Sequence, residues 1–353
     1  MRAVVFGEFG GRPRIRTVPD PQPPPGGVTI RVAMTGLCRS DWHGWMGHDP
    51  GVVLPHVPGH EFAGTIAGLG AGVSGWQVGD RVTTPFVCAC GTCASCAAGD
   101  HQVCERQAQP GFTYWGSFAD YVVVPGAEVN LVRLPDELPD AAAAALGCRF
   151  ATAYRAVIDQ GRLRAGEWVA VQGCGGVGLS AVMIAAAAGA RVVAVDVSQP
   201  ALDLARRCGA AVCLNAAAGT PVGAGTPEGI ARAVREAAGG GAHLSIDALG
   251  SPATCAASIL SLRRRGRHVQ IGLLPAALGL PALPMERVIG YELEILGSHG
   301  MPAHAYPRLL ALITSGTLDP GLLVTETIGL DDAPAALASM DRLPHPGIRL
   351  IRL

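Results

Sequence analysis

The chain contains no lysine; every one of its basic residues except histidine is arginine. That bias is what a GC-rich coding sequence would be expected to give, and it excludes any mechanism built on a Schiff-base lysine, including pyridoxal phosphate chemistry and class I aldol cleavage. Charge is scarce too, at 16% of residues with a net charge of −1, and no basic run occurs. Nucleic acid and anionic membrane are therefore not expected as partners. With 353 residues and 49% hydrophobic content, the chain can build two domains with separate cores and has little material for disordered tails. The N-terminal segment MRAVVFGEFGG lacks the long apolar stretch of a signal peptide. The cysteine count, eleven, is odd. A reduced, cytoplasmic protein that uses several thiols as metal ligands is expected rather than a secreted disulfide framework. One uncharged stretch, Trp168 to Ala190, is long enough to span a bilayer, but four of its five glycines cluster near a strand-to-helix turn. It reads as a buried β-loop-α unit, and no membrane segment is expected.

The texture changes along the chain. Up to about residue 145, short apolar runs (AVVF, VTIRVAM, FAGTIAGLG, DRVTT, ADYVVVP) alternate with Gly/Pro turns, as in a barrel-like, mostly β unit. PDPQPPPGG at 19–27 reads as an extended surface connection. From about Ala151, strands alternate with alanine-rich helical stretches. WVAVQG, RVVAVDV, AVCLN, LSIDALG and GRHVQIG are the expected strands of a parallel, helix-covered sheet. The final segment mixes LEILGSHG, a helix at HAYPRLLALITSG and a closing strand IRLIRL, and is expected to return to complete the first domain. The boundaries expected are 1–149, 150–292 and 293–353, with a cysteine lobe at about 88–106. No internal repeat is present.

Gly173-Cys174-Gly175-Gly176-Val177-Gly178 follows the strand VAVQ and opens a helix. The G-x-G-x-x-G pattern is weak alone. Here Asp196 ends the next strand, 23 residues after Gly173, where a carboxylate can accept hydrogen bonds from an adenine-side ribose. The glycines would let the backbone approach a pyrophosphate at the helix N-terminus. A ligand-free tight turn is the competing reading. Asp196 would repel a 2′-phosphate, and Val197 to Ala201 include no arginine to attract one, so NAD is expected over NADP. Cys174, inside the loop, is most simply a space-filling small residue rather than a redox group.

Cys90-x2-Cys93-x2-Cys96-x7-Cys104 offers four thiolates in one lobe, which suits a closed tetrahedral structural zinc. Disulfides and an iron–sulfur cluster compete. The reducing compartment disfavours the first, and the x7 gap without a following proline departs from ferredoxin spacing. Cys88 lies outside the pattern.

Cys38 (GLCRSDWH), His60 with Glu61 (PGHEFAG) and Cys148 (LGCRFATAY) come from three distant segments. Converging, they would leave one position of a tetrahedral zinc open for water or an alcohol oxygen. Such an alcohol would lose its proton near neutral pH and pass hydride to a nicotinamide. Ser40 could take the proton and His43, whose intrinsic pKa suits the task, could deliver it to solvent. Asp41 could orient the ligating histidine. Singly, either cysteine reads as a buried small hydrophobe and His60 as a surface or core histidine; it is their conjunction that indicates a site.

Through CRSDxH, PGHExAG, the four-cysteine lobe, GSFADY, GCRFATAY, the nucleotide loop and GIRLIRL, nearly the whole chain resembles the zinc-dependent alcohol dehydrogenases of the medium-chain dehydrogenase/reductase family. The resemblance implies an α/β architecture: a Rossmann doubly wound parallel sheet plus a GroES-like, mostly β catalytic domain. It implies a catalytic zinc on Cys38, His60 and Cys148 with Glu61 close behind as an occasional ligand, and a structural zinc on the lobe. A Ser40–His43 relay is implied as well. Arg39 and Arg349 would meet the cofactor pyrophosphate, Thr152 the nicotinamide, and Ile271 the cofactor. Phe86 would line the substrate pocket. Two departures stand out. A basic residue found in some members beyond the ribose aspartate is Ala201 here, and the segment between Cys104 and GSFADY is short, as in microbial members, many of them tetramers. A homotetramer is thus expected over a dimer.

Phe86, Phe112 and Trp115 are the expected pocket aromatics, with Trp45 weaker, favouring an apolar alcohol over a polyol. For Trp115 and Trp45, core or interface packing competes evenly. SHGMPAH at 298–304 is expected near the nicotinamide or a subunit interface, with His299 and Met301 as possible substrate contacts. The leading expectation is reversible oxidation of a primary or secondary alcohol to an aldehyde or ketone with NAD and two zinc ions. A specialised biosynthetic or polyol dehydrogenase is the runner-up. An idle NAD-binding paralogue would be expected to lack a ligand or relay residue, and a metal-dependent hydrolase would not need Asp196 or the dinucleotide loop.

Overall fold

A computed structural model describes residues 1–217, 222, 226–274, 279–342 and 345–353. The chain forms two compact units, one of Met1–Ala151 with Gly300–Leu353 and one of Thr152–His299.

The first unit begins with an antiparallel pair, β1 (Arg2–Val5) and β2 (Arg14–Thr17). It continues through β3 (Val28–Leu37), β4 (Phe62–Leu69), β5 (Arg81–Thr83), β6 (Tyr121–Val124) and β7 (Val132–Arg133). The ten-residue β3 pairs antiparallel with both β4 and β6, so the expected strands VTIRVAM, FAGTIAGLG and ADYVVVP lie side by side. Val28, Ile30 and Val32 of β3 point inward onto Phe62, Ile66, Val82, Val122 and Val124. This period-two burial fixes register, because a slip of one residue would turn that whole set outward. The helix Arg39–Trp45 follows β3 directly and carries four of the expected site residues.

In the second unit, β8 (Trp168–Gln172), β9 (Arg191–Asp196), β10 (Val212–Asn215), β11 (Ala242–Asp247), β12 (Leu262–Gln270) and β13 (Glu294–Gly297) form one parallel sheet in the order β10-β9-β8-β11-β12-β13. Strand order reverses between β8 and β11, which in such sheets marks the ligand-binding end. The central strands are buried on both faces, explaining the unbroken apolar runs VAV and VVAV. Trp168–Ala190, expected as β-loop-α, is β8 followed by the helix Gly176–Ala187. Among the described residues no helix is long and apolar enough to cross a membrane.

The sequence-based boundary at residue 293 is corrected. β13 pairs with β12 (His268 opposite Ile295), so the second unit runs on to His299. The chain then returns: β14 (Val324–Gly329) lies parallel to β15 (Ile348–Arg352), and β15 pairs antiparallel with β3. Leu330, Ala333, Leu337 and Ile351 join Phe6, Leu37 and Phe112 in one core of the first unit.

Candidate metal centres and nucleotide loop

All four lobe cysteines converge. Their sulfur atoms lie within 4.8 Å of one another. Cys93 Sγ is 3.5 Å from Cys96 Sγ and 3.7 Å from Cys104 Sγ, and Cys90 Sγ is 4.0 Å from Cys96 Sγ. A disulfide needs about 2.05 Å, whereas Zn–S bonds of about 2.3 Å in a tetrahedron put the sulfurs about 3.8 Å apart. The spacing fits a metal, and none of the eleven cysteines is in a disulfide. The backbone amides of Thr92 and Arg106 donate to Cys90 and Cys104. The Thr92 amide lowers the Cys90 pKa to about 5, while burial and neighbouring thiols push Cys96 up to about 12. Cys88 stands apart, 3.6 Å from the Tyr114 hydroxyl.

Cys38, His60 and Cys148 also converge, their ligand atoms within 4.8 Å. Three segments deliver them: Cys38 caps the helix Arg39–Trp45, His60 precedes β4, and Cys148 sits in the π-helical turn Leu146–Phe150, a distortion common at functional sites. Asp41, 1% exposed, holds two of them in place. Its carboxylate accepts from the Cys38 amide (2.9 Å), the Gly59 amide (3.0 Å) and His60 Nδ1 (2.9 Å). A proton on Nδ1 frees Nε2 as a lone-pair donor, and among the described residues that buried Nε2 meets no hydrogen-bond partner. Such an orphan costs about 1–3 kcal/mol, a loss that a metal bond removes. Burial opposes charge on His60, but Asp41 and Cys38 raise its pKa well above the usual imidazole value. The field that would hold a proton there also favours a cation. The hydrogen bond from Cys148 holds Cys38 well below the ordinary thiol range, and the same bond pushes Cys148 up.

Glu61 is turned toward Arg149. It is fully buried, accepts from Arg149 Nε at 2.7 Å and from the Arg149 and Cys148 amides, and is ion-paired with the guanidinium. Burial raises its pKa and Arg149 opposes the rise. Arg149 itself was not anticipated from sequence; the signal available was one charge inside the apolar run AAAAALGCRFATAY.

Ser40 Oγ lies 3.9 Å from Cys38 Sγ. His43, half-buried, places Nδ1 at 2.9 Å from Nδ1 of the exposed His48, a partner the spacing did not reveal. Burial, with Arg39 and His48 nearby, lowers the His43 pKa below 6.5. Phe86 and Phe112 flank His60, with ring centroids at 6.3 and 5.2 Å. Trp115 instead lines an apolar groove with Met1, Pro21, Tyr114 and Tyr121. Trp45 is core, its indole N–H donating to the Gly11 carbonyl. Met301 is buried and His299 exposed.

At the nucleotide loop, Gly173 has φ +87°, and a Cβ on Gly178 would sit 1.8 Å from the Gly173 carbonyl oxygen. A Cβ on Gly175 would meet nothing within 4 Å. Gly175 caps the helix Gly176–Ala187, whose first turn includes Val177, without a side-chain hydrogen bond, whereas Ser198, Thr226 and Ser251 cap the helices that follow them. The amides at this terminus are left for another acceptor. Asp196 accepts from the Cys174 amide (2.6 Å) and the Ser198 amide (2.8 Å), tying the loop to the end of β9. Cys174 is buried, in keeping with a space-filling role. Ile271 follows β12, its amide bonded to the Asp247 carbonyl. Thr152 is buried at the start of the second unit. Arg39 stacks on Trp42 and Arg349 is ion-paired with Glu326, so both expected pyrophosphate ligands have local partners.

The arrangement has relatives. The alcohol dehydrogenase GroES-like domain family matches residues 24–136, and the zinc-binding dehydrogenase family matches 176–315. An alcohol dehydrogenase of Geobacillus stearothermophilus is 35% identical over 80% of both chains. An NAD-dependent alcohol dehydrogenase of Sulfurisphaera tokodaii is 31% identical over 99% of both. The solved structure of the alcohol dehydrogenase TADH from Thermus sp. ATN1 superposes with a TM-score of 0.88 at 33% identity, covering 100% of this chain and 99% of that one. The chain belongs to the zinc-type alcohol dehydrogenases of the medium-chain dehydrogenase/reductase family.

Proposed function

We propose that the protein oxidises a primary or secondary alcohol with NAD, reversibly, using one catalytic and one structural zinc per chain. The observation that carries this reading is the three-ligand cluster of Cys38, His60 and Cys148, with the buried, unpartnered Nε2 of His60. Three protein ligands are the set of an open zinc site, and four thiols are the set of a closed one. Zinc held by the three would act as a Lewis acid on the alcohol hydroxyl, and bound NAD would accept hydride.

The chain's own residues supply the rest. Asp41 keeps the His60 tautomer that exposes Nε2. Ser40 takes the hydroxyl proton and His43 carries it outward, its lowered pKa leaving it neutral and able to accept at pH 7. Glu61, engaged by Arg149, stays behind Cys148 and adds no ligand in this arrangement. The uncapped helix at Gly175 receives the pyrophosphate, and Asp196 takes the ribose with the acceptor capacity its two amide bonds leave free. Phe86 and Phe112 give the pocket an apolar wall beside His60, favouring alkyl or benzylic alcohols over polyols. A cytoplasmic homotetramer is the proposed working form.

NADH formation with ethanol, long-chain, benzylic, secondary and polyol substrates tests the substrate class. Apolar alcohols should be turned over best; a preference for polyols would establish the specialised-dehydrogenase alternative. The wild type should prefer NAD, and Asp196→Ala should weaken that preference. An NADP-preferring wild type, or an unchanged ratio in the variant, would refute the role given to Asp196.

A further inference from the structure

We propose that His48 is the outer member of the proton exit, receiving the proton from His43 and releasing it to water. The inference rests on the relay reading above and extends it by one imidazole.

The local fold brings the two rings together. The helix Arg39–Trp45 has Met46 as its C-cap, and Gly47 follows with φ +79°. The Gly47 amide donates to the Gly44 carbonyl (3.1 Å) and the His48 amide to the His43 carbonyl (3.0 Å). These are the two bonds of a Schellman motif, which folds the residue after the glycine back over the last helical turn. A hydrophobic pair commonly occupies that contact; here it is His43 and His48. Their centroids are 5.2 Å apart, and Trp42 packs edge-on against both, at 5.1 and 5.6 Å. Gly47 is held to glycine by its φ and by Phe9, 2.9 Å from where a Cβ would stand.

Two imidazole nitrogens 2.9 Å apart share one proton between them. With His43 in the Nδ1–H form, its Nε2 is the acceptor for an incoming proton. His43 Nδ1–H then passes its proton to His48 Nδ1, and His48 Nε2–H releases one to solvent. One proton enters, one leaves, and the reverse tautomers reset through water. His43 is half-buried and His48 exposed, so the pair runs from interior to surface. The charged groups bearing on His43 are Arg39 and His48, which oppose a proton, and Cys38, which favours one.

The test compares zinc-replete wild type, His43→Gln and His48→Gln in single turnovers with NAD and the best alcohol of the panel. Proton release is followed with an indicator dye at pH 7 in weak buffer. An outer relay member should be worth less than the ~100-fold of a general base, so His48→Gln should slow release about tenfold. Added imidazole buffer should restore the rate, which it would not do for a purely structural defect. If His48→Gln releases protons at the wild-type rate, or stays slow in imidazole, the proposal is overturned. If His43→Gln is also unimpaired, the relay itself falls. A readout independent of turnover is ¹⁵N NMR of the imidazoles. Nitrogen–nitrogen coupling between His43 Nδ1 and His48 Nδ1, absent in His48→Gln, is expected; its absence from the wild type would overturn the proposal.

Discussion

Asp41 positions the candidate metal ligands without belonging to the candidate set itself. One carboxylate fixes the Cys38 backbone, the Gly59 backbone and the His60 ring. Asp41→Asn keeps the shape but loses the charge and places an amide N–H among donors. Affinity for the dispersed-site zinc should drop about 10- to 100-fold, the usual cost of losing such a partner, while the lobe zinc stays bound. Competition with a chromophoric chelator measures both; equal loss from the two sites would contradict the assignment. Asp41 was legible because it lies inside CRSDxH, three residues from a ligand. Arg149 was not. Its partner Glu61 is 88 residues away, and a single arginine in an alanine-rich run carries no periodic or spacing signal. Trp115 and Trp45 stayed undecided for the opposite reason: an aromatic beside a site motif fits a pocket wall and a core equally well until the chain is folded.

At the scale of elements, the nucleotide loop separates two jobs for glycine. Gly178 lets the helix close onto β8, since a methyl group there would overlap the Gly173 carbonyl. Gly175 has open space around its α-carbon and φ −76°, which any residue adopts. Gly178→Ala should therefore lower the melting temperature of the protein without ligand. Gly175→Ala should leave melting near wild type yet weaken NAD binding about tenfold, or 1.4 kcal/mol, because the methyl occupies the approach of the pyrophosphate. Calorimetry on both variants checks this; a Gly175→Ala protein that binds NAD normally would refute the loop's role. The strands of the parallel sheet were readable from their apolar runs and glycine punctuation. The boundary at residue 293 was misplaced because EILG is a strand of only four residues. Nothing local tells whether so short a run extends the sheet behind it or begins the return ahead; pairing with β12 decides it.

For the whole molecule, the two candidate metal centres differ in what they offer: four sulfurs would close one site, and two sulfurs with one imidazole would leave a position open at the other. On the reading proposed above, coordination number would separate a metal that holds structure from one that meets substrate. The most direct test is a paired determination, zinc per chain and NADH formation with an apolar alcohol, in wild type and Cys148→Ser. Two zinc ions with activity in the wild type, against one zinc ion and no activity in a folded variant, is the expected result. Equal zinc content in both proteins, or undiminished turnover in the variant, would contradict the open site.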